Sequence, residues 1–191
     1  MAETLKPRQR EALLLMGLGD EEVVARQTRI VNWLNKRRLP DAQIHVFDTR
    51  HQTTESYDEK GDRLLSFVGD HAGIEVVYAI SGGGPYAMSL VPVLSKDTEY
   101  CFVSAKLRNP DNIGPERSNR APALRDAVIA SEEVIASYDL SQYNITCHAG
   151  YLDGILEQND MRIPDVPFER IHMINHSAAI MLAYFSVLRR L

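Results

Sequence analysis

The chain alternates short, unbroken apolar runs with longer segments whose apolar residues recur every three or four positions. The run "EALLLMG" (Glu11–Gly17) closes in glycine and predicts a buried strand. From Glu21 to Arg38, Val23, Val24, Ile30, Val31 and Leu34 repeat at helical spacing. Asp20 is placed to cap that helix, and Lys36, Arg37 and Arg38 suit its C-terminal dipole ahead of Pro40. "AQIHVFD" (Ala42–Asp48) predicts a second strand and Tyr57–His71 a second helix, interrupted by Gly61 and Gly69. "IEVVYAI" (Ile74–Ile80) is the third strand, followed by a helix from about Gly82 that Pro92 kinks or ends. A fourth strand (Glu99–Ala105) leads into a loop rich in Pro, Asn and Arg (Lys106–Pro122), then a helix from Ala123 to Ser137. Strands at Tyr143–Ala149 and Phe168–Ile174 and an apolar helix from Ser177 to Arg190 complete the pattern.

Strands separated by helices imply right-handed crossovers and a parallel sheet with helices on both faces. The expected fold is therefore α/β, a three-layer sandwich with a mainly parallel, roughly six-stranded sheet. No repeat, low-complexity tract or linker divides it, so residues 1–191 are expected to form a single domain. In such sheets the ligand site lies beyond the carboxyl ends of the strands, which directs attention to the residues where strands stop.

Composition narrows the class. The 191 residues are 45% hydrophobic and 25% charged, an ordinary globular balance with room for a substantial core. A net charge of −5 without a basic block argues against nucleic acid as a partner. No apolar run reaches the roughly 20 residues of a membrane span, and the opening "MAETLKPRQREALLLMG" lacks the order of a signal peptide. Cys101 and Cys147 each fall inside a predicted buried strand and read as small apolar residues of a reducing cytoplasm, although sequence leaves a bridge open. The expectation is a soluble cytoplasmic protein.

The strand ends carry the chemistry. "MGLGD" follows the first strand, "SGGGP" the third, "HAGYLDGI" the fifth and "NHSAA" the sixth. A serine hydroxyl is a poor nucleophile until an imidazole takes its proton, and that imidazole needs a carboxylate to fix its tautomer. Ser81 sits in "AISGG", a small–x–Ser–x–small turn that relieves crowding where a strand bends sharply into a helix. Asp153 and His176 are the matching acid and base; Asp160 and Asp165 are alternatives for the first, His172 for the second, and His148 is placed to line the site. The triglycine lacks a Walker lysine and dinucleotide spacing, and its likeness to the serine–glycine loop of ATP pyrophosphatases stops after three residues. His148, Asp153 and His176 lack the tight spacing of a zinc site.

In this order of residues the chain resembles the α/β-hydrolase family across about Glu11–Leu191. The resemblance implies a compact serine hydrolase with nucleophile Ser81, acid Asp153 and base His176, in that family's chain order. "MGLG" resembles its H-G-x-G turn, so the backbone amides of Leu18 and Gly82 are the implied oxyanion donors. It implies a small-molecule acyl substrate and no cofactor. Three departures stand out: Met16 replaces the usual histidine, Gly83 and Gly84 before Pro85 make the elbow glycine-rich, and the family's first two strands are missing. A non-catalytic binding module of the same fold is the rival expectation.

Overall fold

A computed structural model of the protein describes residues 10–18, 21–37, 42–71, 73–150 and 157–171. The expected helix over 177–190, together with Asp153, His172 and His176, lies outside the described residues.

Six strands form one sheet: β1 (Arg10–Leu15), β2 (Ala42–Phe47), β3 (Ile74–Ile80), β4 (Glu99–Val103), β5 (Asn144–Gly150) and β6 (Phe168–Ile171). Their order is β2-β1-β3-β4-β5-β6, and every neighbouring pair runs parallel. The described helices are α1 (Glu21–Arg37), α2 (Tyr57–Gly69), α3 (Gly84–Met88), α4 (Pro115–Arg120), α5 (Leu124–Ser137) and α6 (Gln158–Met161).

The apolar runs read as strands because both faces of the sheet are covered. Leu13, Leu15, Val77, Ala79, Tyr100 and Phe102 point to one face, in one buried cluster with Leu64 and Val68 of α2, Tyr86 and Met88 of α3 and Ala127 of α5. Ala12, Leu14, Val76, Tyr78, Ile80, Cys101 and Val103 point to the other, in a cluster with Val31 of α1. Full burial of each such side chain is worth about 1.5–3 kcal/mol, so the two clusters hold the layers together.

Several elements differ from expectation for local reasons. The helix after β3 ends at Met88, well before Pro92, where the Ser89 hydroxyl donates to the Tyr86 carbonyl at 2.6 Å and competes with helix continuation. The expected loop 106–122 contains α4, because Pro115 occupies the first turn, where its missing N–H costs nothing. A capping box opens α2: the Ser56 hydroxyl accepts from the Glu59 amide at 3.2 Å while Glu59 takes the Ser56 amide at 2.7 Å.

From β1 the chain moves outward to β2, then returns past β1 to lay down β3, and continues outward through β4 to β6. The connection reverses direction between β1 and β3. The crevice beyond their carboxyl ends is where such a sheet receives a ligand, and Met16–Leu18 and Ser81 stand there.

Candidate active site

Ser81 follows the last residue of β3 with φ 49°, in the left-handed region that an L side chain adopts only under constraint. A 3₁₀ turn over Ser81–Gly83 leads straight into α3. The Ser81 carbonyl is held from two sides, by the Gly84 amide and by the Lys106 amide at 3.1 Å. Ser81 remains partly exposed while Gly82 through Met88 are buried, so the hydroxyl bearer is the accessible point of the bend.

The glycines serve proximity, since no described glycine has positive φ. A Cβ on Gly83 would fall 2.7 Å from the carbonyl oxygens of both Leu15 and Met16, and one on Gly84 would fall 2.6 Å from Cβ of Ala105. Side chains there would push α3 off the ends of β1 and β4. The glycine-rich elbow is thus a packing solution.

Across the crevice the β1 turn approaches just as closely. A Cβ on Gly17 would stand 2.9 Å from Cβ of Ser81, and one on Gly82 would stand 3.3 Å from Cγ of Leu18. The structure therefore brings Ser81, Gly82 and Leu18 together at one spot. Met16 turns its side chain into the sheet's buried face, leaving its carbonyl toward the loop after β2.

The other candidates are placed as follows. Asp160 is 1% exposed and committed elsewhere: its carboxylate takes Lys106 Nζ at 2.8 Å, Asn109 Nδ2 at 2.8 Å and Asn112 Nδ2 at 3.3 Å. Asp165 is exposed in a turn with φ 60°. His148 lies at the end of β5, where its carbonyl accepts the Ser104 amide at 2.8 Å. Cys101 and Cys147 point to opposite faces of the sheet, which rules out a bridge between them. Among the described residues no group of His, Cys, Asp or Glu is arranged to hold a metal, and no helix is long and apolar enough to cross a membrane.

Sequence reasoning passed over His51. It is 5% exposed, its Nε2 lies 3.1 Å from the Met16 carbonyl, and its ring meets Tyr86 edge-on at 5.7 Å. A carbonyl only accepts, so Nε2 carries the proton and Nδ1 is a bare acceptor, buried without a partner among the described residues. Burial pushes the imidazole down to about 4, helped by Lys60 and opposed by the Met16 carbonyl and Asp48. The same ring backs the elbow: a Cβ on Gly82 would lie 3.2 Å from His51 Cε1. Its loop is fastened by Lys60, 0% exposed, whose ammonium donates to the carbonyls of Thr49 and Arg50 and to the Thr53 hydroxyl. The rule that singled out the other strand ends, applied to the end of β2, points to "DTRH".

Beside this loop opens a cleft of about 440 Å³ lined by Gly17, Val24, Ala25, Arg50, His51 and Thr53 among others. Gly17 and His51 belong both to the cleft and to the wall against the serine turn.

Neither a protein-family model nor a curated protein sequence matches the chain. Solved structures do. The esterase domain of a Rhodothermus marinus protein superposes with a TM-score of 0.60 at 11% identity, over 93% of this chain and 87% of that one. A monoacylglycerol lipase from Paleococcus ferrophilus gives 0.61 at 12% identity, over 95% of both chains. FphF, a fluorophosphonate-binding serine hydrolase of Staphylococcus aureus, gives 0.59 at 15% identity, over 99% of this chain and 86% of that one. The chain has the α/β-hydrolase fold. The strand–serine–helix turn expected at Ser81 is present in the α/β-hydrolase fold, and the Met16–Leu18 turn packs against it. This α/β-hydrolase sheet is built from six described strands, as the compact form requires.

Proposed function

We propose that the protein is a serine hydrolase that cleaves an ester, thioester or similar acyl bond of a small soluble substrate. One observation carries the proposal: a partly exposed serine, held at φ 49° at the reversal point of the sheet, faces the Leu18 turn. Strain of this kind persists only where surrounding structure enforces it, and here it raises a hydroxyl into a crevice. The named activities of the structural neighbours, an esterase, a monoacylglycerol lipase and a serine hydrolase, lie in the same reaction class.

In the proposed reaction Ser81 Oγ attacks the substrate carbonyl carbon while His176 takes the hydroxyl proton. Asp153 orients His176 and stabilises its protonated form. The amides of Leu18 and Gly82 hold the oxyanion. His176 then returns the proton to the leaving alcohol or thiol as the acyl bond breaks. Water, deprotonated by His176, attacks the acyl-serine, and collapse releases the acid and restores Ser81. The residues need no cofactor for these steps. The 440 Å³ cleft, which adjoins the serine turn through Gly17 and His51 and is not itself lined by Ser81, is of a size that holds small ligands. Two thiols that cannot bridge to each other fit a reducing, cytoplasmic setting.

The test is labelling with a fluorophosphonate probe and mapping of the adduct by mass spectrometry. The adduct is expected on Ser81, absent from Ser81→Ala, with hydrolysis of a short-chain ester lost in parallel. His176→Ala should remove most of the activity and Asp153→Asn should damage rate more than folding. A folded protein that resists labelling, or labels at another residue, would replace this proposal with a non-catalytic binding module of the same fold.

A further inference from the structure

The turn that faces Ser81 carries Met16 where the family's pattern carries histidine. Methionine has no N–H with which to fasten such a turn, and two backbone amides stabilise an oxyanion only if they stay aimed at one point. We propose that His51, reaching in from the loop after β2, is the positioning residue that fastens the oxyanion site. This rests on the serine-hydrolase proposal above. Its Nε2–H holds the Met16 carbonyl at 3.1 Å, one residue before Gly17 and two before Leu18. A Cβ on Gly82 would meet Cε1 and Nε2 of the same ring at 3.2 and 3.4 Å, so one side chain packs beside both segments that bear the donors.

The surroundings support a positioning role. Tyr86 of α3 meets the ring edge-on at 5.7 Å, which ties it to the helix that opens at the elbow. Thr49 and Arg50, the residues just before it, have their carbonyls gripped by the buried ammonium of Lys60. Arg50 itself is held at φ 47°, with its amide on the Asp48 carboxylate at 2.9 Å. A loop with strained backbone, stapled from beneath by a fully buried lysine, delivers the His51 imidazole to the Met16 carbonyl at 3.1 Å. This is the shorter of two contacts there, the Thr49 hydroxyl donating to the same oxygen at 3.5 Å. His51 is 5% exposed and its Nε2–H is engaged by the Met16 carbonyl, so its influence on the reaction passes through the amides of Leu18 and Gly82.

The test compares His51→Gln, His51→Leu and His51→Asn. The glutamine amide nitrogen can stand where Nε2 stands and donate to Met16. Leucine fills similar space without a donor, and the asparagine amide falls short of the carbonyl. Rates are measured on a short-chain ester and normalised to sites titrated with fluorophosphonate. His51→Gln should keep kcat within about threefold of wild type. His51→Leu and His51→Asn should lose roughly tenfold to a hundredfold in kcat, with KM within about threefold, because a misaimed donor weakens only transition-state binding. If His51→Leu does not fold, the asparagine variant decides. A kcat per titrated site unchanged in the donor-less variants, with only the melting temperature lowered, overturns the proposal and leaves a packing role. Wild-type protein without Ser81-dependent hydrolysis overturns the serine-hydrolase reading itself, a result separate from the first.

Discussion

At the scale of single residues, a histidine kept neutral by burial has a thermodynamic consequence. The ordinary imidazole value is 6.5, and the folded protein pushes His51 down to about 4. Between those values the unfolded chain binds a proton at this site that the folded chain refuses. Stability is therefore whole above about pH 6.5, falls as pH drops toward 4, and loses no more from this group below that. The difference amounts to about 3 kcal/mol. His45 pulls the same way, lowered by burial and by neighbouring His71 against the opposing carboxylate of Glu11. His51→Gln removes one contribution and leaves the other. Urea unfolding at several pH values between 7 and 4.5 should show a shallower decline in the variant than in wild type. Equal declines would mean that His51 titrates normally.

At the scale of elements, the Asp160 carboxylate organises a region too short to fold by propensity. A four-residue helix such as α6 has no stability of its own. Asp160 supplies it: its side chain binds Lys106, Asn109 and Asn112, and its carbonyl accepts the amides of Leu107 and Arg108 at 2.8 and 3.0 Å. Lys106 in turn gives its amide to Ser81, so the clamp reaches the elbow. Asp160→Asn should destabilise by about 3–5 kcal/mol, since it leaves the Lys106 charge buried and unmatched, and Asp160→Asn/Lys106→Met should recover part of that. A loss under about 1 kcal/mol by urea denaturation would show the pair to be solvated. The strands were legible because continuous apolar runs bounded by glycine and polar residues have few other uses, and Ile74–Ile80 coincides with β3 from end to end. That Ser81, Gly82 and Leu18 would lie together was legible because a parallel sheet gathers its strand ends along one edge. His51 was not, because its position depends on Lys60, in the following helix. Asp160 could be separated from the other acidic candidates only through contacts made by residues 106–112, some fifty positions earlier. No periodicity announces α4 or α6, which exist through a proline at the first turn and a carboxylate clamp.

At the scale of the whole molecule, the serine-hydrolase proposal makes the segment between β4 and α5 the element through which substrate would meet the site. A lid that opens on lipid needs an amphipathic helix with an apolar face. The described segment offers instead "PERSNR" as α4, with no buried residue. Hydrolysis of a short-chain ester, followed through its solubility limit, should rise smoothly and level off; a sharp increase as droplets form would show interfacial opening. The two layers that enclose the sheet leave another mark. Cys101 lies in the cluster beneath α1, and Cys147 in the cluster beneath α2, α3 and α5, its thiol pushed up to about 12 by burial. A sulfur so protonated and enclosed is inert to alkylating reagents until its own cover lifts. The protein thus carries a separate chemical tag under each helical layer, and the order in which the tags become reactive would record which side comes away first.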